Sequence, residues 1–292
     1  MRKLLPAVAA LLVLASCDPA DTPSKYTVPK YKEYHAQLSF NGEDVKDQVR
    51  NGVIPSTLEL TSSGKYVAAV AKPEENKLVY TVGNFSIPTR ALDVINLEGL
   101  NLSMTFKNIA ASSWLVNLSN SKSSLSLDTE AKAANELVVG SFADSLCRSW
   151  HVKSISISAT GSDIPSKLST IKVFETPDIS KIGDYFSENG VSVDVGALKD
   201  YVISDISFTE YSTLIINFTK AAPFIGTYSL DKNHKATYSF ALQYEDNPVF
   251  AGTGKGMLTI DRASFTLTFR IESEIVTTDG KKYNGKVIFE LV

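Results

Sequence analysis

The sequence predicts a mainly β protein made of two antiparallel β domains, with one or two short helices in the C-terminal one. Three observations predict it. Apolar residues alternate strictly with polar ones: Phe265, Leu267, Phe269 and Ile271 fall on one face and Ser264, Thr266, Thr268 and Arg270 on the other. Ala236, Tyr238, Phe240, Leu242 and Tyr244 repeat the pattern, as do Val287, Phe289 and Leu291. Period two is the signature of a strand with one buried face. Between such runs stand the turn dipeptides Ser63-Gly64, Asp279-Gly280 and Asn284-Gly285. The chain is also 292 residues long, more than one compact core usually holds.

In chain order, the N-terminal domain spans 31–130, with strands expected at 31–40, 56–60, 65–71, 77–82, 100–106 and 113–118 and a helix over 43–50. A serine-rich run, Ser119 to Ser126, is followed by Asp128-Thr129-Glu130 and an alanine-rich stretch. That shift in composition marks a boundary between Ser119 and Cys147, with 131–144 as a connector of high helix propensity. The C-terminal domain spans 145–292. Its strands are expected at 150–158, 204–209, 212–219, 225–230, 235–244, 256–261, 263–273 and 284–292. Ile179, Ile182, Tyr185 and Phe186 are spaced as on a helix that Gly190 can end, and Val195, Leu198, Tyr201 and Val202 continue that spacing. Eight antiparallel strands fit a closed up-and-down barrel, which leaves no exposed edges. Leu58–Val70 and Ile206–Phe218 look distantly alike, so an internal duplication stays open beside plain convergence of alternating strands.

The first residues carry a different signal. Arg2 and Lys3 precede an apolar run from Leu4 to Ala15, which ends in Leu14-Ala15-Ser16-Cys17. The run is about 12 residues, whereas a spanning helix needs roughly 20. A short positive region, an apolar region and small residues describe a removable leader, residues 1–16. The last four residues resemble the lipobox of bacterial lipoproteins. That resemblance implies cleavage before Cys17, a diacylglyceryl anchor on its thiol, and attachment to the membrane through lipid. Residues 17–30 then form a lipidated tether, stiffened by Pro19, Pro23 and Pro29. The expected location is the bacterial cell envelope, on the outer membrane. Asp18 and Asp21 are split by Pro19 and Ala20, which leaves the facing side open.

Net charge is −3, and acids and bases are interleaved without long runs. No basic patch argues for nucleic acid. Of two cysteines, acylation of Cys17 leaves Cys147 without a disulfide partner, so Cys147 reads as a small buried apolar residue.

Chemistry-bearing motifs fail on inspection. His35, His151 and His234 are far apart, and Cys147 with His151 makes two ligands where zinc wants three or four, so no metal is expected. Ser-x-x-Lys occurs at Ser62, Ser119 and Ser169, but it is a cheap pattern in a serine- and lysine-rich chain, and no Gly-x-Ser-x-Gly elbow accompanies it. Gly252-Thr-Gly-Lys-Gly256 lacks the hydroxyl residue after its lysine and leads into a strand, so it reads as a hairpin or bulge. No catalytic residue and no cofactor is expected. Asp144-Ser145-Leu146 resembles the O-glycosylation triplet of Bacteroides-type bacteria, which makes Ser145 a candidate acceptor.

The segment Ser145-Leu-Cys-Arg-Ser-Trp150 looks like the short turn and tryptophan that begin a lipocalin-type first strand. Together with the lipobox, the chain resembles the lipocalin-like lipoproteins of gut Bacteroides-type bacteria. The resemblance implies a lipocalin-like eight-stranded barrel over 145–292 and carries no functional residues across. An eight-stranded barrel can enclose one small ligand. Tyr238, Phe240, Tyr244, Phe265, Phe269 and Phe289 are the candidates to line such a cavity, or simply to fill the core. The expected function is non-catalytic binding of a small apolar molecule or a glycan. A structural subunit or adhesin, working with an outer-membrane protein partner, stays open as the alternative, and an enzyme without a recognised motif as the third.

Overall fold

A computed structural model describes residues 34–88, 93–192, 201–230, 235–239, 253–261, 264–277 and 280–292. The protein is mainly β, with a closed eight-stranded antiparallel barrel and few helices.

The closed barrel lies in the first half of the chain. Its strands are β1 (Ala36–Ser39), β2 (Thr57–Leu60), β3 (Lys65–Lys72), β4 (Lys77–Ser86), β5 (Val94–Leu97), β6 (Leu102–Ile109), β7 (Ser113–Asn120) and β8 (Leu125–Ala133), each hydrogen-bonded to the next. Closure falls at β1, where Leu38 stands opposite both Leu58 of β2 and Ala133 of β8. Alternation sets the two faces: Leu38, Leu58, Leu60, Ile95, Met104, Val116 and Leu118 are fully buried and pack into one apolar core inside the barrel. Two strands, β5 and β8, had no expectation from sequence. The serine-rich run is the β7–β8 hairpin rather than a linker. Asn120 Oδ1 accepts from the N–H groups of Lys122 and Ser123, at 3.0 and 3.2 Å, and Ser124 takes a left-handed φ of 53°. Short polar residues build a tight turn as readily as a linker. The expected helix over 43–50 is α1 (Lys46–Arg50).

After β8 comes α2 (Ser141–Leu146), much shorter than the propensity of 131–146 suggests. The strands that follow are β9 (Ser149–Trp150), β10 (Val152–Thr160), β11 (Lys172–Phe174), β12 (Ile203–Phe208), β13 (Thr213–Phe218), β14 (Phe224–Leu230), β15 (Lys235–Ser239), β16 (Thr253–Asp261), β17 (Thr266–Val276) and β18 (Lys282–Leu291). They form a ten-stranded sheet in the order β11-β10-β18-β17-β16-β15-β14-β13-β12-β9. The closed barrel is therefore β1–β8, whereas the sequence placed a barrel in the C-terminal part. Strands β12 to β18 nevertheless follow one another as β2 to β8 do. The segment 149–160 touches both ends of that series: Trp150 pairs with Ile206 of β12, and Val152 with Leu291 of β18. Between them His151 and Val292 exchange two backbone hydrogen bonds of 2.9 Å.

Helix α3 (Ser166–Ser169) and strand β11 were not anticipated. Helix α4 (Ser180–Glu188) buries Gly183 and Phe186, and Gly190 follows it with φ 76°, as the helical spacing predicts. The core of this sheet gathers Trp150, Phe208, Leu214, Phe269, Phe289 and Leu291, with Leu146 and Cys147 from α2 and its end.

The barrel and the sheet meet through two hairpins, β2–β3 and β12–β13. In the first, Gln37 stands opposite Glu59, Glu59 opposite Val67, and Val67 opposite Val82. In the second, Ser149 stands opposite Ser207, Ser207 opposite Ile215, and Ile215 opposite Ile225. The two registers run in step, and their outward faces pack together: Val67, Ile215 and Ile225 form one buried cluster with Tyr80 and Val82 against it.

Candidate functional site

Each of these hairpins ends in the same turn. In one, Thr61 N–H donates to the Lys65 carbonyl at 2.8 Å and Lys65 N–H to Thr61 Oγ1 at 3.0 Å. In the other, Thr209 N–H donates to the Thr213 carbonyl at 3.0 Å and Thr213 N–H to Thr209 Oγ1 at 3.1 Å. The second turn carries Glu210 and Tyr211, and it pins the chain that leaves the barrel: the N–H groups of Leu137 and Val138 both donate to the Glu210 carbonyl, at 2.8 and 2.9 Å.

This pinning opens a groove of about 500 Å3 at one end of the barrel. One side is the start of β1, with His35 and Ala36. Another is the β6–β7 hairpin, with Ile109, Ala110, Ala111 and Trp114. The third is the chain after β8, from Ala133 to Glu136 with Val139, and Tyr211 completes the lining. Five alanines keep the space open. Trp114 is buried and held edge-on to Phe106 at 5.3 Å, with Tyr34 stacked on the other ring at 4.8 Å. His35 Nε2 lies 2.7 Å from Glu136 Oε1. Burial, with the Glu136 charge second, pushes the Tyr211 phenol up to about 12, so it keeps its proton at neutral pH. The groove thus presents small residues, the Trp114 edge, an acid–imidazole pair and the Tyr211 phenol. That set can hold a molecule with an apolar face and hydroxyl groups.

The opposite end of the barrel carries a second depression of about 400 Å3, lined by Asn96, Asn101, Asn120, Ser103, Ser121 and their neighbours. Asparagines and serines make up seven of its eleven lining residues, with Leu97, Leu102 and Leu125 between them.

The candidates from sequence fall elsewhere. Cys17, Phe240 and Tyr244 lie outside the described residues. Tyr238 sits in β15, opposite Tyr228 and Gly254. Phe269 and Phe289 are buried in the sheet's core with ring centroids 6.0 Å apart, so both serve the packing. Phe265 was expected on their face. It stands instead in the turn before β17 with φ 51° and is 68 % exposed, because alternation ends where the strand does. Ser145 is on α2, its hydroxyl donating to the Ser141 carbonyl at 3.0 Å. Cys147 is buried, its sulfur 3.7 Å from the Tyr228 hydroxyl, and burial pushes its thiol up to about 12. His151 is exposed at the β9–β10 junction, away from Cys147's core position. No group of three or more acidic, histidine or cysteine residues suited to a metal occurs among the described residues.

No known family model matches the chain, and no curated protein matches it in sequence. The reading of the groove therefore stands on its own chemistry. Sequence reasoning passed over it because its walls come from four separate segments. The pairs Ala110-Ala111 and Ala133-Ala134, each at the end of a strand, were the only local hint that space is left there.

Proposed function

We propose that the chain is a lipid-anchored, non-catalytic binding protein of the bacterial envelope, held to the outer membrane through Cys17. Its two halves are two β domains, the C-terminal one a lipocalin-like barrel closed through residues 149–160 with β11 added at its side. The pairing of that segment with both β12 and β18 supports the closure. The ligand sits in the end groove and not inside a barrel. Complete burial of the first barrel's inward residues leaves little space there, while the groove combines room with polar partners. A short glycan is the ligand class that suits it best: a sugar ring offers an apolar face to the alanines, Ile109 and Val139 and hydroxyls to His35, Glu136 and Tyr211.

The observation that carries this reading is the His35–Glu136 pair set beside Trp114 and Tyr211 in one groove. A glycan array probed with residues 18–292 tests it. Binding that is lost in His35→Ala and Glu136→Ala but kept in Phe289→Leu supports the groove. Binding lost only on changing the C-terminal core would place the ligand there instead.

The second reading, an interaction subunit, draws on β11. It ends the sheet order; Val173 on it is 51 % exposed, and Ile171 just before it 59 %. An apolar edge strand can accept a strand from a partner.

A further inference from the structure

The end of the barrel that carries the groove is also where the described chain begins. Tyr34 and His35 lead directly into β1, and His35 lines the groove. Tyr34 is 17 positions after Cys17 in sequence, a reach of at most roughly 60 Å. At the same end three aliphatic side chains stand in water: Leu137 is 72 % exposed, Val139 67 % and Ile109 44 %. Ile109 and Val139 lie on the rim of the groove, from two different segments, and Leu137 is two residues from Val139. The far end of the barrel offers Asn101, Ser121 and Glu98 instead. One end is thus rimmed by exposed aliphatics and adjoins the first described residue, and the other presents amides, hydroxyls and a carboxylate.

We propose that Ile109, Leu137 and Val139 seat this end of the barrel on the lipid surface to which Cys17 is anchored. The proposal rests on the lipid-anchor reading above. Clustered exposed aliphatics are costly in water and gain by entering the headgroup boundary, and a shallow apolar contact becomes effective once an acyl anchor holds the protein close. Seating fixes the orientation of the molecule. The groove then opens at the membrane, and its ligand is a glycan or headgroup carried at that surface.

The test uses the full lipidated protein in phospholipid vesicles. Val139→Cys and, as a control at the other end, Ser121→Cys are each labelled with an environment-sensitive fluorophore. Both positions are exposed, so neither change threatens folding. Cys147 is buried and its thiol is protonated, so it does not compete for label. The expected result is a several-fold rise and blue shift at 139, quenched by lipid-borne nitroxides, with no change at 121. Equal, water-like emission at both sites on protein that floats with vesicles overturns the seating while leaving the anchor intact. A Cys17 peptide found without acyl mass overturns the anchor and the seating together. A label at 139 that is already dry in residues 18–292 without vesicles shows that the chain's own tether covers the patch, and it overturns the proposal too.

Discussion

Lys65 and Thr213 hold the same place in two different hairpins, and each reaches across to a carboxylate of the other. Each is the first residue of its strand, β3 or β13, after a four-residue turn that opens with threonine. Lys65 Nζ pairs with Asp205 on β12, while Thr213 Oγ1 donates to Glu59 Oε2 on β2 at 2.6 Å. The barrel and the sheet are therefore joined by reciprocal contacts around the apolar cluster of Val67, Ile215 and Ile225. The two carboxylates of this junction have opposite electrostatic fates, and two predictions follow from that contrast.

Asp205 is 12 % exposed and Lys65 18 %. Burial works to raise the Asp205 pKa, but the Lys65 charge and the hydrogen bonds from Lys65, Asn217 and Ser204 outweigh it and hold the carboxyl below its usual range. Replacing Lys65→Met leaves a nearly buried carboxylate without its cation and costs about 2–4 kcal/mol in urea unfolding at pH 7. A folded pKa depressed below 3.8 means stability that is complete above that value and lost as pH falls through the folded one. The wild type should lose stability below about pH 4 more steeply than Lys65→Met does.

Glu59 behaves in the opposite way. It is 3 % exposed, and burial raises its pKa more than the Thr209 and Thr213 hydroxyls and the Gln37 amide lower it. Below 4.5 both folded and unfolded forms are protonated and the contribution is whole. It declines as pH rises from 4.5 toward the raised folded value. Glu59→Gln keeps an oxygen for these donors and cannot ionise. It should match the wild type near pH 4 and exceed it in stability at pH 8. Denaturant melts at the two pH values measure the difference, and a Gln variant weaker at pH 8 would contradict the assignment.

Gly83 lies against the Tyr66 ring. A Cβ at residue 83 would come within 2.6 Å of Tyr66 ring carbons, and that ring is 1 % exposed with its hydroxyl donating to the Glu98 carbonyl. The ring has nowhere to move inside a closed barrel. Gly83→Ala should lower stability by about 1–3 kcal/mol, whereas Gly140→Ala, with open space around it, should pay only for its positive φ. Thermal melts of the two variants separate crowding from backbone strain.

Thr129 is buried on the inward face of β8, and its hydroxyl has no partner. Thr129→Val removes an unsatisfied polar group at nearly constant volume and should raise stability by about 1 kcal/mol. Urea titration of the single variant checks it, and a loss of stability would point to a hydrogen bond hidden at that hydroxyl.

Much of this fold was legible because alternation is a local property. The strands around Leu102–Phe106, Thr213–Phe218 and Leu267–Ile271 could be read residue by residue, and so could the helix that Gly190 ends. Strand β5 was missed because Val94–Leu97 is too short to display a period. Strand β8 was missed because Leu125, Leu127, Thr129 and Ala131 dilute the inward face with a hydroxyl and a methyl. Closure could not be read at all, since it depends on Leu38 meeting Ala133 across nearly the whole barrel. The groove was hidden for the same reason: His35 and Glu136 are 101 residues apart, and the chain after β8 is held there by the Ala134 N–H bond to the Gln37 carbonyl of β1 and by the turn at Glu210.

The central claim is that a ligand is held in the end groove. Native mass spectrometry of residues 18–292, purified gently from a bacterial periplasm, tests it most directly when wild type and Tyr211→Ala are compared. The account predicts a stoichiometric extra mass on the wild type that is lost on denaturation and absent from folded Tyr211→Ala. The same extra mass retained in full by Tyr211→Ala would put the ligand elsewhere in the molecule and contradict the account.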